Sequence, residues 1–387
     1  MKTVSWHRRV GVWIGIGTGP GVLMVGGGLA SQLSVPLLTL AIPLGAVCLT
    51  ALAVGEGFIS WRRRERVAER AEGTFGGAIG GDLFNLVIAL GTAGWLSFYL
   101  SMVAFAWGTH LGFPIWASSL IMACGMLALS YVGIDRWNLL IVLTGLSTLG
   151  VAAFALLAVE PAPVSPSTDA TLSGLLWGVG SVVSVGVLFA ARTGDFTADL
   201  ESASDVIKVG LGLLAPLVVF LSIGSFAYRT LGDWNLADLL ARAQSPLVGN
   251  IFLLIASVAN VLGAFHSGTL AIDNLTPLNK RWGAAVMALV GFAVGATRFD
   301  RQLLLFLDVL GAVVPSALIV MLAAAVVRGR VARWIALASW GLGAAAALIL
   351  QTEDYLFHMF AGVSISLLVL LIGHWFTALR YSEGQEA

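Results

Sequence analysis

Few side chains in this sequence can do chemistry, and the informative ones lie inside long apolar runs. Only 11% of the 387 residues are charged. Asp308 falls within "LLLFLDVLGAVVPSALIVMLAAAVV", and His266 sits in the eighth span, whose run is "LVGNIFLLIASVANVLGAF". An ionisable group inside such a run is costly, so each is a functional candidate. Either can carry a proton, and histidine titrates near neutral pH. Their structural alternatives are a hydrogen-bonded histidine and a polar contact between helices. Cys48 and Cys124 have no metal-ligand or disulfide spacing and read as small buried hydrophobes. No catalytic constellation, metal site or organic cofactor motif is found. The absence of a "GxxxxGK[ST]" loop excludes ATP hydrolysis by that route. The expectation is a protein that is not an enzyme.

The backbone itself is the second source of chemistry. The stretch "GIGTGPGVLMVGGG", Gly15 to Gly28, holds seven glycines and a proline within the first apolar run. Gly17, Gly19 and Gly21 flank Pro20, which lacks an amide donor. This predicts a break in the helix near mid-membrane. A break frees amides at one half-helix and carbonyls at the other, which suit polar or anionic ligands and cations. Gly26, Gly27 and Gly28 read as a packing surface. Five spans later, Gly178, Gly180, Ser181, Ser184 and Gly186 interrupt the sixth run. Paired breaks predict a five-plus-five inverted repeat with two additional helices.

These groups must be positioned by membrane helices. The chain is 58% hydrophobic with a mean hydropathy of +0.93. Its apolar runs predict an all-α membrane protein of twelve transmembrane helices, with the first and sixth broken. A single transporter domain, 1–387, divides into a first repeat of about 10–159, a second of about 172–327, and extra helices at about 333–380. The ninth run is short. The apolar run after "MKTVSWHRRV" is kept as the first span rather than a cleaved signal. Placing the N-terminus in the cytoplasm leaves only Arg229, Arg242, Arg298 and Arg301 of the 21 basic residues outside. That bias predicts cytoplasmic termini in an inner membrane. Glu56 and Asp82 are expected to pair with the basic cluster Arg62–Arg70. His358 and His374 read as structural. The segment 159–173 reads as a flexible linker, and "RYSEGQEA" as a disordered tail. A net charge of zero gives no reason to expect nucleic acid.

Two stretches carry a family resemblance. "GTAGWLSFYLSMVAFAWGTHLGFP" resembles the third helix of cytosine permeases in the nucleobase:cation symporter-1 family. "SVVSVGVL" followed by "TGDF" resembles that family's sixth helix. The resemblance implies a transporter moving a flat heterocycle with a cation. It makes Trp95 the stacking aromatic, Ser184 and Gly186 polar groups at the sixth-helix break, and Asn260 an amide for a base edge. An aromatic face with a few donors and acceptors suits a planar base. There are departures. Thr92 or Ala93 stands where the family has Gln, and Gly263 and Ala264 where it has sodium-binding hydroxyls. Ser267 and Thr269 lie one turn on. With those hydroxyls gone, Asp308, His266 and Ser267 become the ion-coupling candidates, and the coupling ion is H+ or Na+.

The sequence therefore predicts a secondary transporter importing a nucleobase or related heterocycle by alternating access. The expected partners are a small-molecule substrate, a coupling cation and the lipid bilayer. Substrate-binding candidates are Gly17, Gly19, Gly21, Trp95, Ser184, Gly186 and Asn260. An amino-acid or other small-solute transporter of the same fold is the alternative.

Overall fold

The computed structural model describes residues 3–131, 137–165, 167, 171–276, 279–327, 331–353 and 355–383. Lys2, Arg136, Arg328 and Arg330, residues 166 and 168–170 of the expected linker, and residues 384–387 of the tail lie outside them.

The first run forms α1 (Val10–Gly17) and α2 (Pro20–Gln32), bent by 41° across Thr18 and Gly19. Then come α3 (Val35–Arg63), the short α4 (Val67–Phe75), α5 (Gly77–Leu111), α6 (Ile115–Tyr131) and α7 (Trp137–Ala158). The second half comprises α8 (Leu172–Ala191), the short α9 (Thr193–Thr197), α10 (Ala203–Leu231) and the short α11 (Leu236–Arg242). It continues with α12 (Leu247–Leu275), α13 (Lys280–Gly295) and α14 (Leu303–Val326). Two further helices, α15 (Arg333–Thr352) and α16 (His358–Glu383), complete the chain.

Helices occupy all twelve expected places. Among the described residues, nine are long and apolar enough to span a membrane, and the bent pair α1–α2 makes a tenth. The fourth and ninth are shorter: α6 has 17 residues and α13 has 16. At 1.5 Å per residue, sixteen residues rise about 24 Å, less than a hydrocarbon core of about 30 Å.

The two halves run through similar orders of helices. Each has a short helix after its second long one, α4 and α11, and a short fourth membrane helix, α6 and α13. α2 packs along α10, α3 along α8, and α5 along α12.

The sixth span departs from expectation. α8 is continuous through Gly178, Gly180, Ser181, Ser184 and Gly186. Its helix ends at Ala191, where Arg192 separates it from α9. The small residues serve packing instead. A Cβ at Gly178 would meet Leu33 and Ala41, and one at Gly186 would meet Leu49 at 2.7 Å. Ser184 turns its hydroxyl to the Gly180 carbonyl at 2.8 Å, within its own helix.

The later glycines of the opening stretch do form a packing surface. Cβ atoms at Gly26 of α2 and Gly224 of α10 would collide with the Leu221 and Leu23 carbonyls, respectively. Only glycine permits so close a backbone crossing. Cys48 and Cys124 are exposed on α3 and α6, not buried. In a membrane the outer face meets hydrocarbon, so a small apolar side chain gains little from burial there.

Candidate functional site

The break in the first span opens onto a small cavity. Gly19 has extended backbone (φ −69°, ψ 155°), and Pro20 starts α2 at a position where its missing amide costs no intrahelical bond. Ile16 before the break and Val22 after it line a narrow cavity of about 10 Å³. Trp95 and Tyr99 of α5, Val185 and Phe189 of α8, and Asn260 of α12 complete the wall. That volume is barely the space of one water, so these side chains close the site in this conformation and must part to admit a ligand of ordinary size.

The aromatic wall is ordered by helix geometry. Trp95 and Tyr99, four residues apart, share a face of α5. Their rings stack at 5.9 Å between centroids with an interplanar angle of 26°. Phe98 and Phe306 each meet Trp95 edge-on at 5.6 Å. The Trp95 indole Nε1 is buried and has no hydrogen-bond partner among the described residues. A buried donor without a partner is costly unless something supplies an acceptor. The Asn260 amide reaches only the Ala256 carbonyl of its own helix, at a long 3.4 Å. None of the seven lining residues is an acid, a lysine, an arginine or a histidine.

The break brings backbone close to these side chains. A Cβ at Gly19 would lie 2.7 Å from Asn260 Nδ2. One at Gly21 would lie 3.0 Å from the Tyr99 hydroxyl and 3.1 Å from the Trp95 ring. Gly19, Gly21, Trp95 and Asn260 are thus gathered at one place. The remaining candidates are elsewhere. Gly17 packs against Pro216 and Leu217 of α10. Ser184 faces Gly311 of α14, and Gly186 faces Leu49 of α3. Their neighbours Val185 and Phe189 present α8 to the cavity instead.

A wide polar vestibule of about 670 Å³ lies on one side of the cavity. It is lined by Arg9 of the N-terminal segment, Ile88 of α5, Arg192 and His266, among others. Each lies three to seven residues along the chain from a cavity residue of the same span: Ile16, Trp95, Phe189 or Asn260. A seven-residue step along a helix is about 10 Å. His266 is an exposed vestibule residue rather than a buried one. The Ser267 carbonyl accepts a hydrogen bond from the Arg192 guanidinium. Arg192 also pairs with Asp195 (Nε to Oδ2, 2.9 Å), and the Val67 amide donates to Asp195 Oδ1 at 3.3 Å. Behind these, Glu56 and Arg70 form a fully buried ion pair, and Arg70 donates to Ser60 Oγ at 3.1 Å. Burial pushes the Arg70 guanidinium down to about 10, against the attraction of Asp195, so it stays charged at neutral pH. Glu56 therefore pairs as expected, whereas Asp82 is exposed and makes no ion pair among the described residues.

A second network ties α5, α11 and the start of α14 together. Asp300 is fully buried and accepts from Ser101 Oγ (2.6 Å), Asn235 Nδ2 (2.8 Å) and Arg298 Nε (3.0 Å). Arg298 also reaches Asp238 at 2.9 Å, and Arg301 reaches Asp238 at 3.1 Å. Burial works against the Asp238 carboxylate, but hydrogen bonds from Arg301 and Arg298 hold it below its usual range. Asp308 does not line the cavity and accepts from Trp177 Nε1 at 3.2 Å.

Tyr99 and Phe189 were not among the sequence candidates. Tyr99 is discoverable by helical spacing, since it follows Trp95 by four residues, whereas Phe189 is four residues from Val185, itself not a candidate. The Arg192–Asp195 and Asp300 networks join residues distant in sequence and leave no such signal.

No protein-family model matches the chain, and no curated protein matches it in sequence. Solved structures do match. Mhp1, a nucleobase-cation-symport-1 family transporter, closed with bromovinylhydantoin bound, aligns with a TM-score of 0.75. The identity is 16%, over 98% of this chain and 94% of that one. The inward-facing conformation of Mhp1 also gives 0.75, at 14% identity over 98% and 93%. A Na+-coupled sialic acid symporter in a substrate-bound outward-open state gives 0.65, at 12% identity over 95% and 89%. The chain is a multi-pass helical membrane protein with the fold of cation-coupled symporters.

Proposed function

We propose that this chain is a cation-coupled importer of a neutral, planar heterocycle, such as a nucleobase. The observation that carries the reading is the cavity wall at the break. It stacks Trp95 on Tyr99, leaves the Trp95 Nε1 donor without a partner among the described residues, and adds the Asn260 amide. An aromatic plane with neutral donors and acceptors suits a flat uncharged ring. A zwitterionic amino acid could set its carboxylate on the amides at the break, but its ammonium would find no acidic side chain in the cavity lining. Gly19 and Gly21 contribute by letting the first span's backbone close against Asn260 and Tyr99.

In this reading, residues 10–159 and 172–327 are two inverted halves that rock about the cavity, and residues 333–380 stand outside them. The vestibule is the cytoplasmic exit, and both termini face the cytoplasm of an inner membrane. The Asp300–Arg298–Asp238 network holds the opposite entrance together. His266 on the vestibule wall, Ser267 beside Arg192, and Asp308 beside Trp177 remain the candidates for ion coupling, with H+ favoured over Na+.

Uptake of radiolabelled cytosine, uracil, hypoxanthine and hydroxymethylpyrimidine, in cells lacking native uptake, tests the substrate class. At least one base should accumulate, and Trp95→Ala should abolish it. No uptake of any base, or uptake indifferent to Trp95→Ala, refutes the site. Replacement of sodium by choline, compared with addition of a protonophore, identifies the ion. Loss of uptake only on sodium removal overturns proton coupling.

A further inference from the structure

A second cavity, of about 190 Å³, lies between α6, α7, α12 and α13. It is separate from the Trp95–Asn260 site. Its walls are mainly apolar, with Leu140, Leu262 and Phe265 among them. Its rim carries Lys280 and Arg281, and among the described residues no acid lines it. Neither cation belongs to any of the ion pairs found among the described residues. Both occupy the first turn of α13, where the helix dipole disfavours positive charge. The arrangement is unfavourable by itself and complementary to an anion. The adjoining Trp282 is 64% exposed. An exposed tryptophan at a helix end is typical of the headgroup level of a bilayer.

We propose that this cavity binds an anionic phospholipid. The phosphate sits against Lys280 and Arg281, and an acyl chain lies along Leu140, Leu262 and Phe265. The apolar walls favour a lipid over free phosphate, which has nothing to place there. The bond from the Tyr131 hydroxyl to the Arg281 carbonyl (3.1 Å) fixes the rim by joining α6 to α13. His266, Leu270 and Lys280 line both this cavity and the vestibule. A lipid held here braces α12 in the arrangement that leaves the vestibule open.

The test compares thermal unfolding of the full chain in nanodiscs of phosphatidylcholine with and without phosphatidylglycerol. The wild type should unfold at a higher temperature with phosphatidylglycerol. The double variant Lys280→Gln/Arg281→Gln should match the wild type in pure phosphatidylcholine and lose the increment. Native mass spectrometry should show phosphatidylglycerol retention falling on the order of 30-fold, from two cations acting near a membrane surface. Equal unfolding in both lipids, or an increment that survives in the double variant, overturns the proposal. An increment reproduced by inorganic phosphate in phosphatidylcholine discs also overturns it, because the site would then recognise the anion alone.

Discussion

Gly19→Ala isolates the step from helix break to site. Gly19 has φ −69° and ψ 155°, which alanine adopts freely, so the substitution strains no backbone. At such a position alanine adds about 0.4–1 kcal/mol of stability by restricting the unfolded chain. The new Cβ would lie 2.7 Å from Asn260 Nδ2, where ordinary contact begins at 3.4 Å. The Asn260 amide must therefore move by about 0.7 Å, the difference of those two distances. It can do so cheaply, because its only hydrogen bond, to Ala256, is already 3.4 Å long. The fold should survive and the amide should be misplaced. Loss of one neutral hydrogen bond to substrate costs about 0.5–1.5 kcal/mol, or roughly two- to tenfold in affinity. Uptake should fall by that factor, while the unfolding temperature of the purified protein holds or rises. Asn260→Ala makes the assignment sharp. If Gly19 acts through Asn260, the double variant should transport like Asn260→Ala alone, within about 0.5 kcal/mol. Independent additive losses, or a fall in uptake matched by a fall in unfolding temperature, would refute the reasoning.

Other perturbations address the frame around the site. Gly26→Ala drives a Cβ into the Leu221 carbonyl, which cannot rotate away. Overpacking of this kind should cost about 1–3 kcal/mol or more, read as lower thermal stability in detergent. Glu56→Gln leaves the buried Arg70 charge without its partner and should destabilise by about 3–5 kcal/mol. Glu56→Met/Arg70→Met should recover much of that loss, and failure to recover would mean the pair does more than neutralise itself. The Asp238 carboxylate has a lowered pKa in the fold. Its contribution is present above the unfolded value near 3.9 and is lost as pH falls through the lower folded value. Asp238→Asn should thus unfold at a lower temperature than wild type at pH 7, with the gap closing below about pH 4. A gap constant from pH 7 to 3 would show that charge is not the cause.

Membrane helices are legible because hydrocarbon forces the backbone to satisfy itself within each segment. The long apolar runs, their approximate limits and the break at Thr18–Gly19 therefore stand in the sequence. Trp95 and Asn260 were legible by type and by resemblance, and both line the cavity. The sequence does not place the partner break, because the glycines near Ser184 and Gly186 suit both unwinding and close packing. Only the presence of Leu33, Ala41 and Leu49 beside α8 selects packing. The neighbours of a residue, not its type, also put Gly17 on α10, His266 on the vestibule and Asp308 beside Trp177. The Glu56–Arg70 pair spans 14 residues and reads from local charge. The bond from Ser101 to Asp300 spans 199 residues and no periodicity announces it. Period and composition report what one segment does with its solvent. Which faces meet across distant segments is a property of packing, and only the tertiary structure decides it.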